Sequence, residues 1–79
     1  MTDDDNLRIH TVVSRVFRVS VDALRDDVRR GTLAEWDSLG HVMLVSALSE
    51  EFEIQISPER ALQMYTIGDI KQIIHELKA

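Results

Sequence analysis

Apolar residues recur at helical spacing in three stretches, separated by segments rich in cap and turn residues. Residues 6–17 carry Ile9, Val12, Val13, Val16 and Phe17 on one helical face. A polar tail expected to fray over residues 1–5 precedes them, its three aspartates placed where negative charge favours a helix start. Residues 19–36 show no sustained period. Val19, Leu24, Val28 and Leu33 are scattered among Ser20, Asp22, Asp26, Asp27, Gly31 and Thr32, which predicts a long crossover lying on the bundle, with a helical turn near residues 22–24. Residues 38–52 form the second helix, with Leu39, Val42, Val45, Leu48 and Phe52 as an apolar stripe at 3–3–3–4 spacing, widened by Leu44 and Ala47.

Ser57-Pro58-Glu59 reads as a serine cap, a proline at the first helical position and an acid in the first turn, so a short helix spans residues 58–63. Thr66 and Asp69 fit the Thr-x-x-Asp variant of the capping box. A last helix over 67–77 then buries Ile67, Ile70, Ile73, Ile74 and Leu77. The expected fold is an all-α bundle of three main helices and a short third one, in a single domain over residues 1–79.

Composition narrows the function. A 79-residue chain that is 44% hydrophobic builds one small core with no deep cleft, and its stability is expected at about 3–5 kcal/mol. There is no cysteine, so any thiol chemistry needs a sulfur from a cofactor, and a disulfide or a Cys-ligated metal is excluded. No targeting segment or membrane-length apolar run is evident, which gives the expectation of a cytoplasmic monomer with no membrane partner. The net charge of −5 argues against nucleic acid. Between positions 35 and 69 stand Glu35, Asp37, Glu50, Glu51, Glu53, Glu59 and Asp69 against Arg60 alone, an acidic half suited to steering basic partners. Arg25, Arg29 and Arg30 cluster in the crossover as a solvated surface, a docking contact, or partners for Asp26 and Asp27.

The candidate chemistry centres on Trp36-Asp37-Ser38-Leu39. Asp37 is a good N-cap, so Ser38 becomes the first helical residue, at the positive end of the helix dipole and open to solvent. A phosphate on that hydroxyl would sit where free amides favour negative charge. A catalytic serine would instead need an adjacent base and an oxyanion hole. The nearest histidine, His41, reads as a surface residue, and no glycine-rich elbow is present. Trp36 is expected to pack the end of the crossover onto the bundle.

Asp37-Ser38-Leu39, within the stretch WDSLGHVMLVSALSEEFEIQIS at 36–57 and followed by PERALQ and a last apolar helix, resembles the acyl carrier and peptidyl carrier proteins. The resemblance covers nearly the whole chain. It implies the four-helix carrier-protein bundle and a 4′-phosphopantetheine arm on Ser38, donated by coenzyme A through a phosphopantetheinyl transferase. It also implies that the chain is not itself an enzyme, having neither catalytic residues nor a metal site. The arm's thiol holds acyl groups as thioesters, so the further partners are an acyl- or aminoacyl-loading enzyme and synthase or transferase enzymes. Asp37, Leu39, Val42, Met43, Glu50 and Glu51 are the expected partner contacts, with Asp37 also orienting the transferase.

Carriers of fatty acid synthesis usually place acids where this chain has Gly40 and Met43. Their absence favours polyketide or other secondary-metabolite biosynthesis, with partners docking on an apolar surface. A free-standing peptidyl carrier of nonribosomal peptide synthesis, holding an aminoacyl thioester, is the alternative. A reading from a different class is an unmodified helical adaptor that binds through Leu39, Val42 and Met43. Ala47, Ala61, Leu62 and Met64 are expected between the second and third helices, as core packing or as room for an acyl chain.

Overall fold

Side-chain caps at Asp37, Ser57 and Thr66 set three of the helix starts. The computed structural model describes residues 3–78. Four α-helices, Asp3–Phe17 (α1), Ser38–Phe52 (α2), Pro58–Leu62 (α3) and Ile67–Lys78 (α4), are joined by loops, and no strand forms among the described residues. Of the expected polar tail, Met1 and Thr2 lie outside the described residues, whereas Asp3, Asp4 and Asp5 belong to α1, so the helix starts earlier than its apolar pattern. Ser57 caps α3 by accepting from Arg60 N at 3.2 Å, with Pro58 at the first position. α1 and α2 both end on a left-handed residue, Arg18 at φ 57° and Glu53 at φ 53°. These are positions where glycine is the usual occupant.

The amide groups at the start of α4 are fully accounted for, as buried backbone donors require. Asp69 N donates to Thr66 Oγ1 at 2.9 Å and Thr66 N donates back to Asp69 Oδ2 at 3.1 Å, the reciprocal capping box read from the sequence. Ile67 N donates to Val28 O and Gly68 N to Asp26 O, each at 3.0 Å. The crossover therefore caps α4, running antiparallel to residues 65–68 through an isolated bridge between Arg29 and Thr66. A 3-10 turn at Val21–Ala23, capped by Ser20, occupies the place expected for a helical turn. Leu24 and Trp36 are buried, with Val19, Val28 and Leu33 packed beside them, so the crossover is an ordered part of the core. Asp26 pairs with Lys71 at 2.5 Å, while Asp27 faces Arg25 at 3.9 Å with both side chains well exposed.

Ile9, Val12, Val13 and Phe17 of α1 meet Leu44, Leu48 and Phe52 of α2, Met64, and Ile67, Ile70, Ile73 and Ile74 of α4 in one core. The α1 and α4 faces follow their apolar periods, with Val16 and Leu77 half-buried at the margin. The buried face of α2 is not the one its apolar spacing marks. Gly40, His41, Leu44, Leu48 and Phe52 face inward, Val45 is half-buried, and Leu39 and Val42 point to solvent. The reason is compositional: α2 is apolar on nearly every side over its first turns, so period alone does not select the buried face.

Candidate functional site

Asp37 is extended, at φ −96° and ψ −168°, and its Oδ1 accepts from Gly40 N at 2.8 Å. Its own carbonyl accepts from His41 N at 2.8 Å. Ser38 follows as the first residue of α2, exposed to solvent. The sequence-predicted cap and serine thus stand together at the helix start.

Beneath them lies an arrangement that the hydrophobic pattern does not reveal. Trp36, 1% exposed, donates from Nε1 to His41 Nδ1 at 2.9 Å. An indole nitrogen can only donate, so Nδ1 is the acceptor and Nε2 carries the proton. His41 Nε2 then donates to Ala61 O at 2.8 Å. The imidazole ties the end of the crossover to α3 through α2. At 7% exposure His41 is a buried structural group, which corrects the expectation of a surface residue. Burial is the main cause lowering its pKa below 6.5. Arg30 adds to the shift, and the hydrogen bond to Ala61 opposes it. With both ring nitrogens committed, His41 has no lone pair to offer the Ser38 hydroxyl.

Gly40 has a steric role. A Cβ there would overlap the carbonyl oxygen of Glu35 and stand 3.1 Å from Phe17 Cε1. The glycine lets the crossover backbone pass against α2 immediately before the serine.

Around Ser38 the surface is apolar. Leu39 is 70% exposed, Val42 66% and Met43 52%, and across from α2 stand Leu62 at 64% and Tyr65 at 58%. Two concavities divide this surface. One is an apolar groove between α2 and α3, walled by Val42, Val45, Ile56, Pro58, Ala61 and Leu62, with His41 at its inner edge. Of the four residues expected there, Ala61 and Leu62 line the groove. Met64 is fully buried in the core and Ala47 packs against it. The other is a depression holding Ser38 and Asp37, bordered by Arg30, Gly31, Trp36, Leu62 and Tyr65.

The acidic positions at the far end of α2 are separate from this surface. Glu50 is exposed about 18 Å along the helix axis from Ser38, twelve residues at 1.5 Å each. Glu51 Oε2 accepts from Arg8 Nε at 3.0 Å, and its carbonyl accepts from Arg8 Nη2 at 2.7 Å. The Arg8 guanidinium lies 4.4 Å from the Phe52 ring centroid. The Glu51 carboxylate is thus engaged in holding α1 to the end of α2.

Among the described residues no group of three or more His, Asp or Glu side chains could hold a metal ion, and no helix is long and apolar enough to cross a membrane. No protein-family model matches the chain.

Proposed function

We propose that this chain is a carrier protein whose Ser38 bears a 4′-phosphopantetheine arm, presenting thioester-bound acyl intermediates to partner enzymes of polyketide or other secondary-metabolite biosynthesis. The observation that carries the reading is the exposed hydroxyl of Ser38, the first residue of a 15-residue helix with Asp37 as its cap. Free amides and the helix dipole favour a phosphodiester there. The hydroxyl can be reached by a modifying enzyme, and the commitment of His41 to Trp36 and Ala61 leaves it without that base. A serine that accepts a group from a partner needs no base of its own, whereas a serine nucleophile does.

When attached, the arm supplies a terminal thiol, which a chain without cysteine lacks. The protein's own residues do the remaining work. Asp37 fixes the start of α2 so that Ser38 projects outward. Gly40 keeps the crossover close behind it. Leu39, Val42 and Met43 offer an apolar face for partners. Delivery then works through effective concentration, since a tethered acyl group meets a docked active site without a second diffusional encounter.

The carried group separates two versions of this reading. An acyl-loading enzyme marks the polyketide-type carrier, whereas an adenylating enzyme that loads an amino acid marks the free-standing peptidyl carrier. Exposure of Leu39, Val42 and Met43 equally favours the unmodified adaptor, for which Ser38→Ala would leave function intact. The test is fragment mapping of the tryptic peptide 31–60 after incubation with coenzyme A, magnesium and a phosphopantetheinyl transferase. The carrier reading requires the adduct on Ser38 and not on Thr32, Ser46, Ser49 or Ser57 of the same peptide.

A further inference from the structure

Arg30 stands apart from the other cations that the fold holds in place. Arg8, Arg60, Lys71 and Lys78 each pair with a carboxylate, at Glu51, Glu76, Asp26 and Asp5 respectively. Arg30 pairs with no carboxylate among the described residues, although three contacts fix its position. Its backbone N–H donates to Tyr65 O at 3.0 Å, its guanidinium lies 4.4 Å from the Tyr65 ring centroid, and Nη2 donates to Leu62 O at 3.3 Å. The last bond is long, and it uses one of the five N–H donors of the fork.

A guanidinium that is stacked, oriented and left without a counter-anion is preorganised to bind one. Arginine recognises phosphate oxygens with two parallel hydrogen bonds, and stacking on an aromatic ring reduces the ordering cost of forming them. Arg30 borders the depression that contains Ser38, with Gly31 beside it, where a Cβ would meet nothing within 4 Å.

We propose that Arg30, braced on Tyr65, is the anion-binding residue for a phosphodiester carried on Ser38. The inference rests on the carrier reading and adds a residue from a different element to the site. Arg30 holds the phosphate end of the arm against the crossover and α3, so that the arm leaves Ser38 along the Leu62–Tyr65 side. Arg25 and Arg29 are not equivalent to it. Arg25 faces Asp27, and the Arg29 side chain is exposed outside the depression.

The experiment compares the unmodified and phosphopantetheinylated forms by phosphorus and nitrogen NMR, in wild type, Arg30→Lys, Arg30→Gln and Tyr65→Leu, with amide spectra confirming the fold of each. The expected result is a shift of the Arg30 Nε–H resonance on modification of wild type. The phosphorus resonance should also shift and narrow in Arg30→Gln. Arg30→Lys, which keeps the charge and loses the fork, should fall between the two, and Tyr65→Leu should move toward Arg30→Gln. An Arg30 resonance unchanged on modification, with the same phosphorus signal in wild type and Arg30→Gln, overturns the inference while leaving the carrier reading standing. Failure of the wild-type chain to accept the arm removes both.

Discussion

Trp36 Nε1 donates to His41 Nδ1 at 2.9 Å across the start of α2, which fixes the imidazole as the neutral Nε2–H tautomer that reaches Ala61 O. Protonating Nδ1 would set two donors against each other, since the indole nitrogen has no lone pair to accept with. The folded state therefore resists charging His41.

The same relationship determines a pH dependence. The His41 pKa is lowered by burial first, with Arg30 adding to it. That of His10 is lowered by burial first, with Lys71 adding and Asp26 opposing. Below about pH 6.5 the unfolded chain binds protons at these histidines that the folded chain does not, so stability falls as pH drops from 7 through that window. The slope is at most about 1.4 kcal/mol per pH unit for each excess proton. Glu76, held below its ordinary 4.5 chiefly by its hydrogen bond to Arg60, contributes only at lower pH. Urea unfolding followed by Trp36 fluorescence between pH 7.5 and 5.5 should show this loss, and His41→Gln should reduce the slope. An unchanged slope would remove His41 as its cause.

Gly40→Ala should destabilise the fold even though alanine is the better helix former by about 1 kcal/mol. The added methyl would meet Glu35 O and Phe17, and displacing the crossover should cost about 1–3 kcal/mol. Gly68→Ala provides the contrast. Its Cβ would meet only ordinary contacts, the nearest at 3.4 Å from Asp26 O, so the change should be neutral or stabilising. Denaturant midpoints of the two variants, relative to wild type, should move in opposite directions or leave only Gly40→Ala affected.

The facing of α2 can be checked through stability and loading together. Leu44 is fully buried, and Leu44→Ala should cost about 2–5 kcal/mol. Leu39→Ala and Val42→Ala should change stability by no more than about 0.5 kcal/mol. The two surface variants should instead weaken transfer of the arm or loading by a partner, read as a higher KM for the protein substrate. Large stability losses at Leu39 or Val42 would place them in the core after all.

Thr66→Ala tests the junction between the crossover and α4. It removes the acceptor of Asp69 N in the capping box, at an expected cost of about 1 kcal/mol. Amide exchange should quicken at Asp69. Because Ile67 and Gly68 donate to Val28 and Asp26, it should also quicken at those two amides if the crossover and helix start open as one unit.

The local signals were legible in the sequence to the extent that they are local. Asp37, Ser57-Pro58 and the Thr66–Asp69 pair each satisfy backbone groups within one turn, so residue type and spacing suffice to identify them. The faces of α1 and α4 were legible because polar residues flank their apolar stripes. The inward face of α2 was not, because Leu39, Val42 and Met43 are as apolar as Leu44 and Leu48, and tertiary contacts made the selection. His41 read as a surface residue because its burial depends on two partners, Trp36 and Ala61, that meet only in the folded chain. The requirement for glycine at position 40 was not legible because it comes from the crossover carbonyl of Glu35, which meets α2 only in the folded chain. The placement of Arg30 arises from a non-local pairing of the crossover with residues 62–65, which no periodicity encodes.

The decisive measurement is the intact mass of wild type and Ser38→Ala after incubation with coenzyme A, magnesium and each of two phosphopantetheinyl transferases of different specificity, with both proteins shown to be folded by circular dichroism. The carrier reading requires the mass of one phosphopantetheine added to wild type and none added to Ser38→Ala. An unchanged wild-type mass with both transferases, or equal addition to the variant, would overturn Ser38 as the attachment point and leave the apolar face of α2 as an adaptor surface.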